Sequence, residues 1–205
     1  MSDFSIRMNG DDGLAPPVDL FPLRPDPKGP KTIAILLILG GVLMCFVGYG
    51  DIQLSGAEDL TQDELDTLLT NVRNQGENIS DEEYQDFHDE VQETSAYSIR
   101  GWSVLTGGVL VVSGGIVLLL LRSLGSKLAL GGAMISLVGG VYANNKIAEV
   151  SELMLPDSLV LANELMMYLC GVCMVMCAAM AALPLVNASA RAALDNKVEL
   201  IIEEE

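Results

Sequence analysis

Four stretches of the chain run for eighteen residues or more with almost no charge: 32–49, 101–121, 128–146 and 159–186. Each predicts a helix that crosses a bilayer, since about 20 residues at 1.5 Å rise cover roughly 30 Å of hydrocarbon. The third is the weakest, its purely apolar part ending near Tyr142. Buried helices of a soluble bundle would carry a polar stripe, and "TIAILLILGGVLMCFVG" and "WSVLTGGVLVVSGGIVLLLL" carry none. The first stretch begins after 31 residues and has a longer apolar core than a cleaved leader, so it is expected to be retained. Composition fits once the two residue classes are segregated: half the residues are hydrophobic, yet the net charge is −17. The expected fold is an all-α integral membrane protein, a bundle of four transmembrane helices with a small acidic helical hairpin in its first extracytoplasmic loop.

Orientation follows from the basic residues. Arg7, Arg24, Lys28, Lys31, Arg122, Lys127, Arg191 and Lys197 fall on one side, against Arg73, Arg100 and Lys146 on the other. The positive-inside rule then places both termini in the cytoplasm of a multi-pass cell-membrane protein. Tyr49, Tyr97, Trp102 and Tyr142 lie at the outer ends of their stretches, where amphipathic rings anchor at the interface.

Between the spans the chain reads as follows. Residues 1–31 form a cytoplasmic proline-rich segment in which a continuous helix is excluded. Residues 50–100 form the outer loop, with fourteen acidic residues against two arginines from Asp51 to Arg100. Thr61 with Glu64, and Ser80 with Glu83, have the spacing of capping boxes. They predict helices over about 61–74, with Leu65, Leu68, Leu69 and Val72 on one face, and from about Ser80 onward, with Tyr84, Phe87 and Val91. The second is expected to run into the membrane helix that begins near Gly101. Residues 122–127 form a tight cytoplasmic turn that makes an antiparallel hairpin of its neighbours, 147–158 a short outer loop, and 187–205 an acidic cytoplasmic tail.

Small residues recur in pairs: Gly40 and Gly41, Gly107 and Gly108, Gly114 and Gly115, Gly131 and Gly132, Gly139 and Gly140. Gly107 and Gly114 are seven apart, and Gly132, Ser136 and Gly140 four apart, which marks faces where neighbouring helices approach closely.

The chemistry-bearing candidate is "LMMYLCGVCMVMC", 165–177. On a helix Met166, Cys170, Cys173, Met174, Cys177 and Met180 share one stripe. Thiolate and thioether ligands suit copper(I), but Cys170 and Cys177 are about 10 Å apart along the axis, too far to meet at one ion. No histidine lies in a membrane stretch, and His88 is in the acidic loop. Four spans, a long first outer loop and Cys170-x-x-Cys173 on the last helix resemble the vitamin K epoxide reductase family. That resemblance implies a membrane thiol oxidoreductase using Cys170 and Cys173, fed by a second cysteine pair in the outer loop. This loop has no cysteine. Nor does it have the loop disulfides that claudins and tetraspanins use. Plain packing is the simpler reading, because free cysteine behaves as a small hydrophobe and methionine fills gaps.

Ionisable groups that could line a transport path are few: Glu164 and Lys146 lie near outer ends, where they could form a vestibule. No calcium-loop spacing is present, so any cation binding by the acidic loop would be diffuse. Asn78-Ile79-Ser80 is a glycosylation sequon on the outer side. The charge excludes nucleic acid as a partner. The expected function is that of a non-enzymatic accessory or scaffold subunit without a cofactor. Its partners would be the lipid bilayer, other membrane proteins or further copies of itself, and a basic partner for the acidic loop. The alternatives are the thiol oxidoreductase and a soft-metal protein binding copper through Met166, Cys170, Cys173 and Cys177.

Overall fold

The computed structural model describes residues 26–57, 60–74 and 79–194. The proline-rich segment over residues 1–25, Asn78 of the sequon and the tail beyond 194 lie outside them. Among the described residues the chain is all helix, with no strand. Six helices follow in order: α1 (Lys28–Gly56), α2 (Gln62–Asn74), α3 (Asp81–Glu93), α4 (Ala96–Leu119), α5 (Ser123–Met154) and α6 (Asp157–Val186). Four of them, α1, α4, α5 and α6, are long and apolar enough to cross a membrane. The short helices α2 and α3 sit at one end of these four, here called the loop end. The opposite end carries the α4–α5 turn and residues 188–194, which are helical and bring Leu194 into the core beside Ala34 and Leu37.

α4 is the middle of the bundle. It packs extensively on α1 along one side and on α5 along another, while α6 lies on α5 and touches α1 only sparsely. The α4–α5 turn is closed by two backbone bonds, Leu121 N–H to Leu118 O at 2.9 Å and Arg122 N–H to Val117 O at 3.4 Å. That is the Schellman pattern of a helix end, with Leu121 at φ 55° in the left-handed position that glycine usually fills. Ser95, at φ 57°, plays the same part after α3. The expected run of the second loop helix into the span is therefore corrected: Thr94 and Ser95 break the chain, and α4 starts at Ala96. The α5 helix also continues through 147–154, a stretch expected to be loop. At 32 residues it is about 48 Å long, the longest of the six helices. Its extension buries Ile147 and Val150 against Phe87 and Val91 of α3, with Ala96 and Tyr97 of α4.

Local chemistry starts the short helices where the spacing predicts. At α3 the Ser80 hydroxyl accepts from the Glu83 N–H at 3.1 Å and the Glu83 carboxylate accepts from the Ser80 N–H at 2.9 Å, a complete capping box. At α2 only half of the box forms: the Glu64 carboxylate accepts from both the N–H and the hydroxyl of Thr61. Arg73 ties the two helices together, donating to Ile79 O at 3.0 Å and to the Asp81 carboxylate at 2.5 Å. Leu65 and Leu69 are buried with Leu60 and Ile79 in a small cluster that rests on Leu54, Leu155 and Leu159 at the helix ends.

These bonds act on the charged carboxylates and set a pH dependence. The Thr61 hydroxyl and N–H hold Glu64 below the usual carboxylate range, Arg73 and Gln62 do so for Asp81, and the Ser80 N–H and hydroxyl for Glu83. A depressed carboxylate contributes stability in full above the unfolded value, about pH 4, and loses it as pH falls through the lower folded value. Helicity of α2 and α3, followed by circular dichroism, should hold at pH 5 and decline only in stronger acid. Ser80→Ala should move that decline to higher pH, and an unmoved transition would contradict the role of the box.

Candidate functional site

The long helices approach each other through residues that lack side chains. On α1, Ala34, Gly41 and Gly48 recur every seven residues, and on α4 so do Gly101, Gly108 and Gly115. The two series meet in antiparallel order. A Cβ on Gly108 would lie 2.9 Å from Gly41 O, one on Gly48 2.9 Å from Gly101 O, and one on Gly115 3.0 Å from Ala34 O. No side chain fits there without moving a helix.

On its other side α4 repeats the device against α5. A Cβ on Gly107 would meet Gly132 O at 2.5 Å and also the Ser136 hydroxyl, and one on Gly114 would meet Gly125 O at 2.6 Å. The Ser136 hydroxyl donates to Ser103 O at 3.3 Å, a further tie between the same two helices.

The paired glycines thus have a geometric meaning. Neighbouring residues on a helix point about 100° apart. Gly107 and Gly114 serve α5, and Gly108 and Gly115 serve α1, as a helix wedged between two partners requires. In the same way Gly41 faces α4 while Gly40 faces Cys177 of α6 at 3.3 Å. Gly139 falls on Ser103 of α4, and Gly140 faces Met174 of α6 at 3.5 Å, an ordinary contact. So of the five expected packing residues, Gly107, Gly114, Gly132 and Ser136 lie between α4 and α5, and Gly140 lies on another side.

Directly beyond this ladder, at the loop end, is a buried ion pair. Asp51 is 5% exposed, and both of its oxygens accept from Arg100, at 2.8 Å from Nε and 2.6 Å from Nη2. Arg100 Nη1 donates to Asn144 Oδ1 of α5 at 3.2 Å, and the guanidinium lies 5.8 Å from the Tyr97 ring centre. Three helices are thereby joined in one polar layer. Behind Tyr97 stands His88, buried, its ring 5.5 Å away. The Gln92 amide sits 2.9 Å from His88 Nε2 and donates to Leu54 O at 3.1 Å and to Ala57 O. Tyr97 is therefore a core residue, a correction to its expected interfacial place, whereas Tyr49, Trp102 and Tyr142 are exposed.

The sulfur residues do not gather. Cys177 is buried against Gly40, Met174 meets Gly140, Cys173 is exposed and Met166 is 63% exposed. Cys170 is half-buried, and Cys45 belongs to the α1–α4 interface beside Gly108. All four cysteines are free thiols. Among the described residues no three His, Cys, Asp or Glu side chains come together as a metal site would require. Lys146 pairs with Glu149, one turn along its own helix at 2.8 Å, rather than with Glu164. Between α5 and α6 a groove of about 390 Å³ remains open, with Gly140 and Gly171 among its lining residues.

Two measurements test this arrangement. Gly132→Ala should lower thermal stability by about 1–3 kcal/mol, the range for overpacked contacts. Gly140→Ala and Gly131→Ala should be neutral or gain up to about 1 kcal/mol from helix propensity. Equal losses at all three sites would contradict the placement. Asp51→Leu, which strands a guanidinium, should cost about 3 kcal/mol, the low end for a buried pair because the Arg100 side chain keeps 24% exposure. Asp51→Leu with Arg100→Met should recover most of that loss. A neutral Asp51→Leu would mean the pair does not form.

No family model, no curated protein and no solved structure matches this chain.

Proposed function

We propose that the chain is an integral protein of the cell membrane, with four spans, both termini inside and an acidic helical hairpin, α2 and α3, outside. Its role is that of a non-enzymatic accessory or scaffold subunit. Insertion is supported by what the long helices turn outward: Phe46 is 72% exposed, Val138 65% and Leu169 54%, an unsustainable surface in water. Packing by glycine also fits a bilayer, where no hydrophobic force draws helices together and close contact must hold them.

The observation that carries the architectural role is the cancellation of charge. The buried ionisable pair of the long helices, Asp51 and Arg100, neutralises itself in one layer at the loop end. From there to the opposite end, α1, α4 and α5 carry no charged residue in 32–50, 101–119 or 128–145. Carriers and proton pathways keep ionisable groups at mid-depth. The thiols give no better reading: Cys170 and Cys173 lie one turn apart on α6, while Cys45 serves the α1–α4 contact.

Topology is directly measurable. With the four native cysteines replaced by Ala, Glu82→Cys, on the exposed face of α3, should react with an impermeant maleimide on intact cells. Ala188→Cys should react only after lysis. The reverse pattern would overturn the orientation, and labelling of neither site in washed membranes would overturn insertion. Extraction in mild detergent should yield the chain with a stoichiometric membrane partner or as an oligomer. A lone monomer would contradict the subunit role.

A further inference from the structure

The least satisfied surface of the bundle is the groove between α5 and α6. Helix α6 fully buries residues only near its tail end, at Cys177, Ala181 and Pro184. None of its residues from Asp157 to Met176 is buried. Over that half Met174 touches Gly140 of α5 and Leu159 rests on the loop cluster, but Gly171 faces open space, with no atom within 4 Å of where a Cβ would be. The walls are Leu137, Gly140 and Asn144 of α5 and Tyr168, Gly171 and Met176 of α6.

The geometry points to a lipid site: one acyl chain of an outer-leaflet glycerophospholipid lies in this groove, with its ester region at Asn144 and Asn145. This rests on the membrane reading above. Three observations carry it. The first is depth. From Leu137 to Asn145 is about 12 Å of helix, close to the ~15 Å half-thickness of the hydrocarbon. The groove thus spans one leaflet, from mid-depth to the layer where Asp51 and Arg100 pair. The second is polarity. The deep part is lined by Leu137 and Met176, while Asn144 and Asn145 stand at the mouth. Asn144 Oδ1 accepts from Arg100, which leaves its amide N–H groups to donate, and the exposed Asn145 offers a second amide. Ester carbonyl and phosphate oxygens accept at that depth. The third is volume. About 390 Å³ along roughly 12 Å of helix suits one extended acyl chain and is far less than a helix, a cylinder about 10–12 Å across, would fill. Inside the groove a chain gains dispersion contacts on two walls, where bulk lipid offers them loosely.

The open glycines supply a clean test. A Cβ at Gly171 has no atom within 4 Å, so Gly171→Leu extends into the groove from an open position, and Gly131→Leu, equally open at its Cβ, lies off it. Val141→Trp, from the α5 wall, is a second filling variant. The full chain is purified in mild detergent with added dioleoylphosphatidylcholine, and bound lipid is counted by native mass spectrometry. The wild type and Gly131→Leu should each retain one phospholipid through detergent stripping, and Gly171→Leu and Val141→Trp should lose it. Retention unchanged in both filling variants, or no lipid on the wild type, would overturn the site. A dimer that Gly171→Leu dissociates would assign the groove to a second copy and equally overturn it. Failure of the membrane reading is seen separately, as release of the chain from membranes by alkaline carbonate.

Discussion

The contact on which the rest depends is backbone against backbone: α4 held between α1 and α5 by two rows of glycine. Each row repeats every seven residues, so each keeps facing its partner as the helices wind about one another. Dispersion falls off steeply with distance, and removing side chains is the most direct way to bring many atoms within its range. A single added methyl at Gly108 or Gly132 would fall within 3 Å of a neighbouring carbonyl. The tolerance for change along these rows is therefore small, while Gly50 and Gly131, off the rows, have open space where a Cβ would be.

That register also delivers the polar layer. Asp51 lies three residues beyond Gly48, and Arg100 immediately precedes Gly101, so docking the glycines brings carboxylate to guanidinium with no further adjustment. A misregistered dock would leave both charges buried and unpaired, which costs far more than the pair contributes. The layer thus discriminates against wrong registers, and through Asn144 it extends the same control to α5. Helix α6 has no such row and no such layer. Its looser fit, and the groove that results, follow from that difference.

Much of this was legible in the sequence. Length and hydropathy fix the four long helices, and two spacings of a hydroxyl and a carboxylate locate α2 and α3. Gly107 and Gly114 announce themselves by their interval. What was hidden has physical reasons. The α1 row includes Ala34, which does not read as a gap, and its partner row lies some sixty residues away in the chain. Gly140 shares four-residue spacing with Gly132 and Ser136, but each such step turns about 40° on a helix, so by the third residue the face has changed. Asp51 and Arg100 looked like loop charges because hydropathy drops at Tyr49 and rises at Gly101, although the helices continue past both points. The loop end of α5 carries Lys146, Glu149 and Glu152 along one side; the spacing of Ala143, Ile147 and Val150 was the available signal that it stays helical. Nothing in the chain's pattern marked the groove, which arises from what α6 fails to touch.

The register of α4 against α1 is tested most directly by two glycines on the same helix. A Cβ on Gly48 would lie 2.5 Å from Leu105 N and 2.9 Å from Gly101 O of α4, whereas one on Gly50 would have no atom within 4 Å. Gly48→Ala should therefore lower the thermal stability of the detergent-purified chain by about 1–3 kcal/mol, the range for overpacked contacts. Gly50→Ala should be neutral or gain up to about 1 kcal/mol from helix propensity. A neutral Gly48→Ala, or an equal loss at Gly50→Ala, would contradict the docking of α1 on α4.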